Sequence, residues 1–252
     1  MADTLSLCRE NFASFTEMLG SAPDGAYIRL ADGSAAGASG LDSAGDSYAL
    51  FAPGASTKEA ATVVDFFDGG GFPFMVPLFP ENGAELGAEL ARRGLTERGF
   101  HTAMSLRLAG SSFERGRDTT EVSSESDIRE WTEATWRGFG GEGAPDATYS
   151  AFSRYMARRA GNRLYFLRGE GRAVCAGLLL KSTNTVGLYY FATPPEYRRR
   201  GYARRLLCAL ASEAVKEYGE LVLLATEAGR PAYESFGFKT LASITMMGKG
   251  AE

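Results

Sequence analysis

The chain has 252 residues, 44% of them apolar and 23% charged, with 31 glycines, 9 prolines, a net charge of −4 and a pI near 5.3. Those fractions exclude a disordered, collagen-like or coiled-coil protein and fit one large α/β unit or two modest ones. Mild acidity also argues against a nucleic-acid binder that works through bulk positive charge. The charge is uneven, however: residues 1–118 carry 16 acids against 9 Lys+Arg (net −7), and residues 119–252 carry 15 against 18 (net +3).

Cys8, Cys175 and Cys208 are widely spaced, with no CxxC pair and no Cys/His cluster, so buried reduced thiols are expected and neither a disulfide framework nor a metal site is. The N-terminus has no basic region followed by an apolar run, so no signal peptide is expected. No run approaches the roughly 18 consecutive apolar residues of a membrane span. A cytoplasmic protein is the expectation, with no nucleic-acid or membrane partner.

In chain order, Leu5, Cys8, Phe12, Phe15 and Leu19 recur at helical spacing and predict a helix over 4–19. Strands are expected at 26–30 and 47–52, a helix at 58–67, and an irregular strand at 72–78 that contains Pro73 and Pro77. A helix at 85–93 and a strand at 101–108 follow. The small, polar segment 109–118 is the expected boundary between domains at 1–110 and 119–252. The second half predicts helices at 127–139 (with Ser124 or Ser126 as cap) and 147–160, then a hairpin of strands 162–168 and 172–181. A strand at 186–193, a helix at 202–218, an apolar strand at 221–226, a short helix at 231–236 and a strand at 239–247 complete it. A weak internal repeat sets Leu95–Thr102 against Tyr233–Thr240, each with a Gly-Phe pair, and places Leu95 opposite Tyr233.

The stretch that carries chemistry runs from Phe191 to Leu207. A strand ends, a proline turn follows, and Arg198-Arg199-Arg200-Gly201-Tyr202-Ala203-Arg204-Arg205 opens directly onto an amphipathic helix. The first turn of a helix offers unpaired N–H groups and the positive end of the dipole, which suits a phosphate or pyrophosphate. Gly201 and Ala203 are small enough for close approach, and five arginines supply charge. A solvated basic helix start is the plainer alternative. A P-loop is excluded because GxxxxGK[ST] is absent.

The segment Arg198–Ala203 fits [QR]-x-x-G-x-[GA], and here the sequence resembles the GCN5-related N-acetyltransferase (GNAT) family. Tyr233-Glu234-Ser235-Phe236-Gly237-Phe238 resembles a second family element near the C-terminus. The resemblance covers about 119–248 and implies an α/β (α+β) fold of tandem acyl-CoA N-acyltransferase-like units, each a mixed sheet flanked by helices. It further implies acetyl-CoA as co-substrate, an N-acetyltransferase reaction by direct transfer, and a small-molecule or peptide amine as acceptor. Backbone groups of Phe191, Ala192 and Thr193 would pair with the pantetheine arm. The loop and helix start from Arg198 through Arg199, Arg200, Gly201, Tyr202, Ala203 and Arg204 would hold the pyrophosphate. Tyr233 would protonate the departing thiolate, to which a phenol with a pKa near 10 is matched.

The general base is open: Glu227 is the first candidate, and a solvated loop carboxylate is its plainer reading. Many family members carry an asparagine where this chain has Thr226, which opens the question of how CoA is held on that side. Tyr189 or Tyr190 is expected to line the acceptor site, with strand phase allowing only one of them the correct face. Trp131, Trp136 and Phe139 either shape an acceptor pocket or belong to the core. His101 is expected to be structural. The N-terminal half has no arginine loop ahead of its middle helix, and the resemblance implies a degenerate unit there. A homodimer is left open. The competing class is a non-catalytic acyl-CoA-binding regulatory module, and a third is transfer of a longer acyl group or transfer to a hydroxyl.

Overall fold

A computed structural model describes residues 3–114, 116 and 118–250. The chain packs as two units that are not contiguous in sequence. Unit I comprises Met1–Asn11, Met104–Leu223 and Gly229–Lys239; unit II comprises Phe12–Ala103, Leu224–Ala228 and Thr240–Glu252. Four elements pass from one unit to the other: α1 (Thr4–Gly20), β5 (Thr96–Arg107), β10 (Glu220–Thr226) and, by its first residue, β11 (Lys239–Lys249). The sequence halves 1–110 and 119–252 thus exchange segments. Part of the expected boundary at 109–118 (residues 115 and 117) lies outside the described residues, as do residues 1 and 2 of the N-terminus.

Unit II holds β1 (Ala26–Arg29), β2 (Ala35–Ala38), β3 (Ser47–Leu50), α2 (Thr57–Gly70), β4 (Phe74–Leu78), α3 (Ala84–Arg92) and most of β11 (Lys239–Lys249). Its strands run in the order β1-β2-β3-β4-β11, with β3 and β4 parallel and the other neighbours antiparallel. The final strand, expected to complete the second half, instead pairs with β4 from Thr245 opposite Leu78 to Lys249 opposite Phe74. Lys249 also pairs with Asp68 at 2.7 Å. The unexpected strand β2 is Ala-Ala-Gly-Ala and wholly buried. It carries no large apolar residue because α1 lies against it; a Cβ on Gly37 would collide with the Thr16 carbonyl. Phe67 and Phe74 stack at 4.0 Å in the core, with Val63, Val76, Leu86 and Leu90 buried around them.

Unit I holds β6 (Thr119–Glu121), α4 (Glu125–Gly138), α5 (Ala147–Arg158), β7 (Asn162–Gly169), β8 (Arg172–Lys181), β9 (Val186–Ala192), α6 (Tyr202–Ala214) and α7 (Arg230–Phe236). The order is β10-β9-β8-β7-β6, antiparallel except for the parallel β9–β10 pair. Ser124 caps α4 in a capping box with Asp127, and Trp131 on its inner face is fully buried, donating from Nε1 to the Gly177 carbonyl at 3.2 Å. Leu206, Leu207 and Leu210 make α6 amphipathic and are buried, each contributing about 2 kcal/mol. The short strand β6 is pinned by a two-bond pairing of Arg163 with Glu121, both bonds 2.9 Å.

The internal repeat survives, with a different offset. Leu95–Thr102 lies in strand β5 and its approach, whereas Tyr233 lies inside α7, so those segments are not equivalent. The matching feature is the helix end. In α3 the Leu95 N–H bonds the Leu90 carbonyl past Gly94 (φ +90), and in α7 the Phe238 N–H bonds the Tyr233 carbonyl past Gly237 (φ +115). Leu90, fully buried, therefore stands where unit I has Tyr233.

Candidate functional site

The site begins with a defect in β9. Leu178 of β8 faces Tyr189 and Ala176 faces Ala192, so Tyr190 and Phe191 together stand opposite Gly177 as a β-bulge. Tyr190 takes a left-handed conformation, φ +47. The extra residue resets the side-chain phase. Leu188 and Phe191, three apart, both reach the space beside Gly177, where Leu210 of α6 also lies; a Cβ there would sit 2.9 Å from the Phe191 ring. Tyr189 and Tyr190 accordingly share the opposite face. Tyr189 donates to Asn11 Oδ1 at 2.9 Å, while Tyr190 meets the rings of Trp131 and Phe152. The expectation that only one of the two tyrosines could take that face fails because strand phase alone cannot anticipate a bulge.

β9 also loses its neighbour. Leu221 lies opposite Val186 and Val222 opposite Gly187, and among the described residues no later pair joins β9 to β10. The pairing of β9 with β10 thus ends at Gly187, which leaves the edge at Phe191 and Ala192 to an added extended chain. At its end Thr193 is half-buried and already engaged: its carbonyl accepts from Arg198 Nε at 3.0 Å and its hydroxyl donates to Cys175 Sγ at 3.2 Å.

The loop that follows is shaped to leave N–H groups free. Pro195–Tyr197 make one 3-10 turn, Arg198 is extended, and Arg199 (φ +59) and Gly201 (φ +81) are left-handed. Gly201 is the N-cap of α6, with no side-chain cap. The first intrahelical bond is Arg205 N–H to the Gly201 carbonyl, and among the described residues nothing accepts from the N–H groups of Arg199 through Arg204. The space a Cβ would take at Gly201 is empty. Six successive open N–H groups at a helix start form an anion cradle.

The arginines divide in role. Arg198 is a clamp: besides Thr193 it donates from Nη2 to the Gly138 carbonyl at 3.0 Å, locking the loop onto the end of α4. Gly138 permits this because its Cα rests on Ala192, where a Cβ would come within 2.6 Å of that residue's own. Arg200 pairs with Glu170 at 2.9 Å, and Arg205 pairs with Asp118. These exposed pairs are each worth about 0–1 kcal/mol, so an incoming anion displaces them at little cost. Arg204 lies over the Phe236 ring at 5.6 Å. Arg199 is exposed and has no partner among the described residues.

Tyr233 stands on α7 with its ring 6.0 Å from Phe191 and 5.5 Å from Phe238. The residue is half-buried with its hydroxyl inside, and burial together with the neighbouring Cys175 thiol raises its pKa well above the usual value. The expected match to a free phenol near 10 is therefore corrected: this hydroxyl holds its proton more firmly. Burial likewise pushes the Cys175 thiol up to about 12, which keeps it an unreactive neighbour. Glu227 lies exposed in the turn after β10, in the segment Leu224–Ala228 of unit II, so the two catalytic candidates fall in different units. His101, in β5, is buried enough that its pKa is lowered.

Residues 138–250 match the acetyltransferase (GNAT) domain family. This part of the chain is similar to a GNAT domain. Among solved structures the whole chain is similar to a GCN5-related N-acetyltransferase from Kribbella flavida, with a TM-score of 0.66 and 17% identity over 97% of this chain and 96% of that one. It is also similar to a tandem GNAT protein from the clavulanic acid biosynthesis pathway, with a TM-score of 0.56 and 14% identity over 100% and 98%. A GCN5-related N-acetyltransferase from Sphaerobacter thermophilus gives a TM-score of 0.60 and 13% identity over 89% and 84%. At those identities the likeness is one of fold. No curated protein sequence matches the chain.

The stretch similar to that family thus carries the β9 edge, the cradle and Tyr233 within unit I. The sequence pointed to those three features, and it did not place Asn11, Gly138 or Cys175 beside them. Asn11, fully buried on α1, donates to the Leu180 carbonyl at 3.2 Å and to Ser182 at 3.1 Å, holding the end of β8 and the turn after it in place. Nothing in its helical spacing announces that role. Among the described residues no helix is long and apolar enough to cross a membrane.

Proposed function

We propose that the protein is an acetyl-CoA-dependent N-acetyltransferase that moves an acetyl group directly to an amine. The observation that carries this reading is the adjacency, in one unit, of an open strand edge, an uncapped helix start with six free N–H groups, and a buried phenol. The residues fit CoA: the empty space at Gly201 admits a pyrophosphate against the N–H groups of Arg199–Arg204, and β9 from Phe191 offers backbone groups to the pantetheine arm. Acetyl-CoA supplies an activated acyl group and a thiolate leaving group.

The chain's own part is positioning and proton control. β9 holds the acyl arm at its bulge, and an N–H on the open edge meets the negative charge that develops on the carbonyl oxygen. Tyr233 keeps its proton through the physiological range and presents it to the departing sulfur. The acceptor enters as a neutral amine. Free Cys8, Cys175 and Cys208 suit a reducing, cytoplasmic compartment.

The test is an amine panel in which thiol release from acetyl-CoA is followed. Amine-dependent release that is abolished by an Arg200/Arg204 double alanine variant is expected. Tight CoA binding with no release for any amine would convert the reading into that of a regulatory acyl-CoA-binding module.

A further inference from the structure

Among the described residues only two large apolar side chains are strongly exposed, and one of them, Phe139, belongs to unit I, where it is 59% exposed. It is the C-cap residue of α4 and is held outward by an ordered loop. Gly140 and Gly141 donate to the Arg137 and Trp136 carbonyls at 3.2 and 2.9 Å, and Trp136 Nε1 donates to the Glu142 carbonyl at 3.2 Å. The Trp136 ring fills the space a side chain at Gly141 would need. Phe139 therefore protrudes by design of the loop.

Its inner edge meets Tyr190, with centroids 6.1 Å apart at 79°. Behind Tyr190 stand Trp131 and Phe152, both buried and both 6.1 Å away. Three rings thus hold Tyr190 in a left-handed backbone conformation that a bulky residue avoids elsewhere, and strain of that kind persists where a side chain must be aimed. The result is a continuous aromatic surface from the core, through the bulge, to solvent.

Its place in the reaction follows from the two faces of β9. Phe191 and Tyr233 occupy the face beside α6, where the sulfur departs. A nucleophile approaches the acyl carbon from another side, and the other side of the bulge is Tyr190, with Phe139 next to it. Beside Phe139 the Arg198 guanidinium binds the Gly138 carbonyl and Arg137 pairs with Glu196, so both arginines are engaged.

We propose that Phe139 and Tyr190 form an acceptor-selecting wall, and that the acceptor is a primary amine carried on an aromatic or bulky apolar group. This inference rests on the reading of the β9 edge as the transfer site. One methylene in an apolar pocket changes discrimination by about 10-fold or more, and a ring on a ring offers at least that.

The experiment uses the full chain saturated with CoA and measures binding of 2-phenylethylamine, ethanolamine and spermidine by calorimetry, with thiol release from acetyl-CoA assayed in parallel. The expected result is 2-phenylethylamine binding about 10-fold or more tighter than either of the others. Phe139→Gln should erase that preference and Phe139→Leu should retain part of it, with CoA affinity unchanged in both. Equal affinity for the three amines, or a preference that survives Phe139→Gln, overturns the wall. A ring preference in binding without thiol release contradicts the proposed function and leaves the wall standing.

Discussion

The two units start their middle helices in opposite ways. In unit II, Ser56 caps α2: its hydroxyl accepts from Lys58 N–H at 3.2 Å, and the Glu59 carboxylate accepts from Ser56 N–H at 3.0 Å. The helix's own side chains fill its donors and offset its dipole. In unit I, Gly201 caps α6 with no side chain at all, no acid sits in the first turn, and arginines surround the open donors. Both are ordinary helices on mixed sheets. What separates a binding site from a structural helix start is whether the protein satisfies those N–H groups itself. Leu90 and Tyr233 repeat the lesson at the later helix, where one position holds a buried apolar residue and the other a buried acid.

That contrast can be broken at several points. Tyr233→Phe should lower kcat by about 100-fold or more while leaving CoA affinity unchanged, as steady-state kinetics and calorimetry would show. A variant with wild-type turnover removes Tyr233 from the chemistry. Gly201→Val forces a β-branched residue to φ +81 and should weaken CoA about 10-fold or more, since a left-handed conformation costs about 1–2 kcal/mol before the loop distorts. Ser56→Ala, at the corresponding helix start of unit II, should cost about 1 kcal/mol of stability in denaturant titrations and change CoA affinity not at all.

The smallest effect concerns pH. Hydrogen bonds from Arg163 hold the Glu121 carboxyl below its usual range. A carboxylate depressed in the folded state stabilises above its unfolded pKa of about 4.3 and loses that contribution as pH falls through the folded value. Glu121→Gln should therefore flatten the acid limb of the urea midpoint below about pH 4.3. An acid limb unchanged from wild type would show that the pair does not hold β6.

The legible parts of the molecule were those written in local pattern. The Arg198–Ala203 loop, the helix from Tyr202 and the buried strand from Leu221 carry their signals in spacing and composition, and the structure places them as read. The illegible parts depend on distant chain. β2 lacks large apolar residues because α1 crowds it, so no alternation marks it. β11 reads the same whichever sheet it joins, and only register assigns it to β4. The bulge that turns Tyr189 and Tyr190 to one face arises between β8 and β9, in neither strand alone. Arg198 illustrates a motif residue whose structural work the sequence did not announce: it clamps Gly138 and Thr193.

The most direct test of the open helix start is hydrogen–deuterium exchange of backbone amides with and without CoA. Addition of CoA should slow exchange across Arg199–Arg204 and leave the first turn of α2, Thr57–Ala60, unchanged. Unaltered exchange at Arg199–Arg204 in the presence of bound CoA would contradict the account.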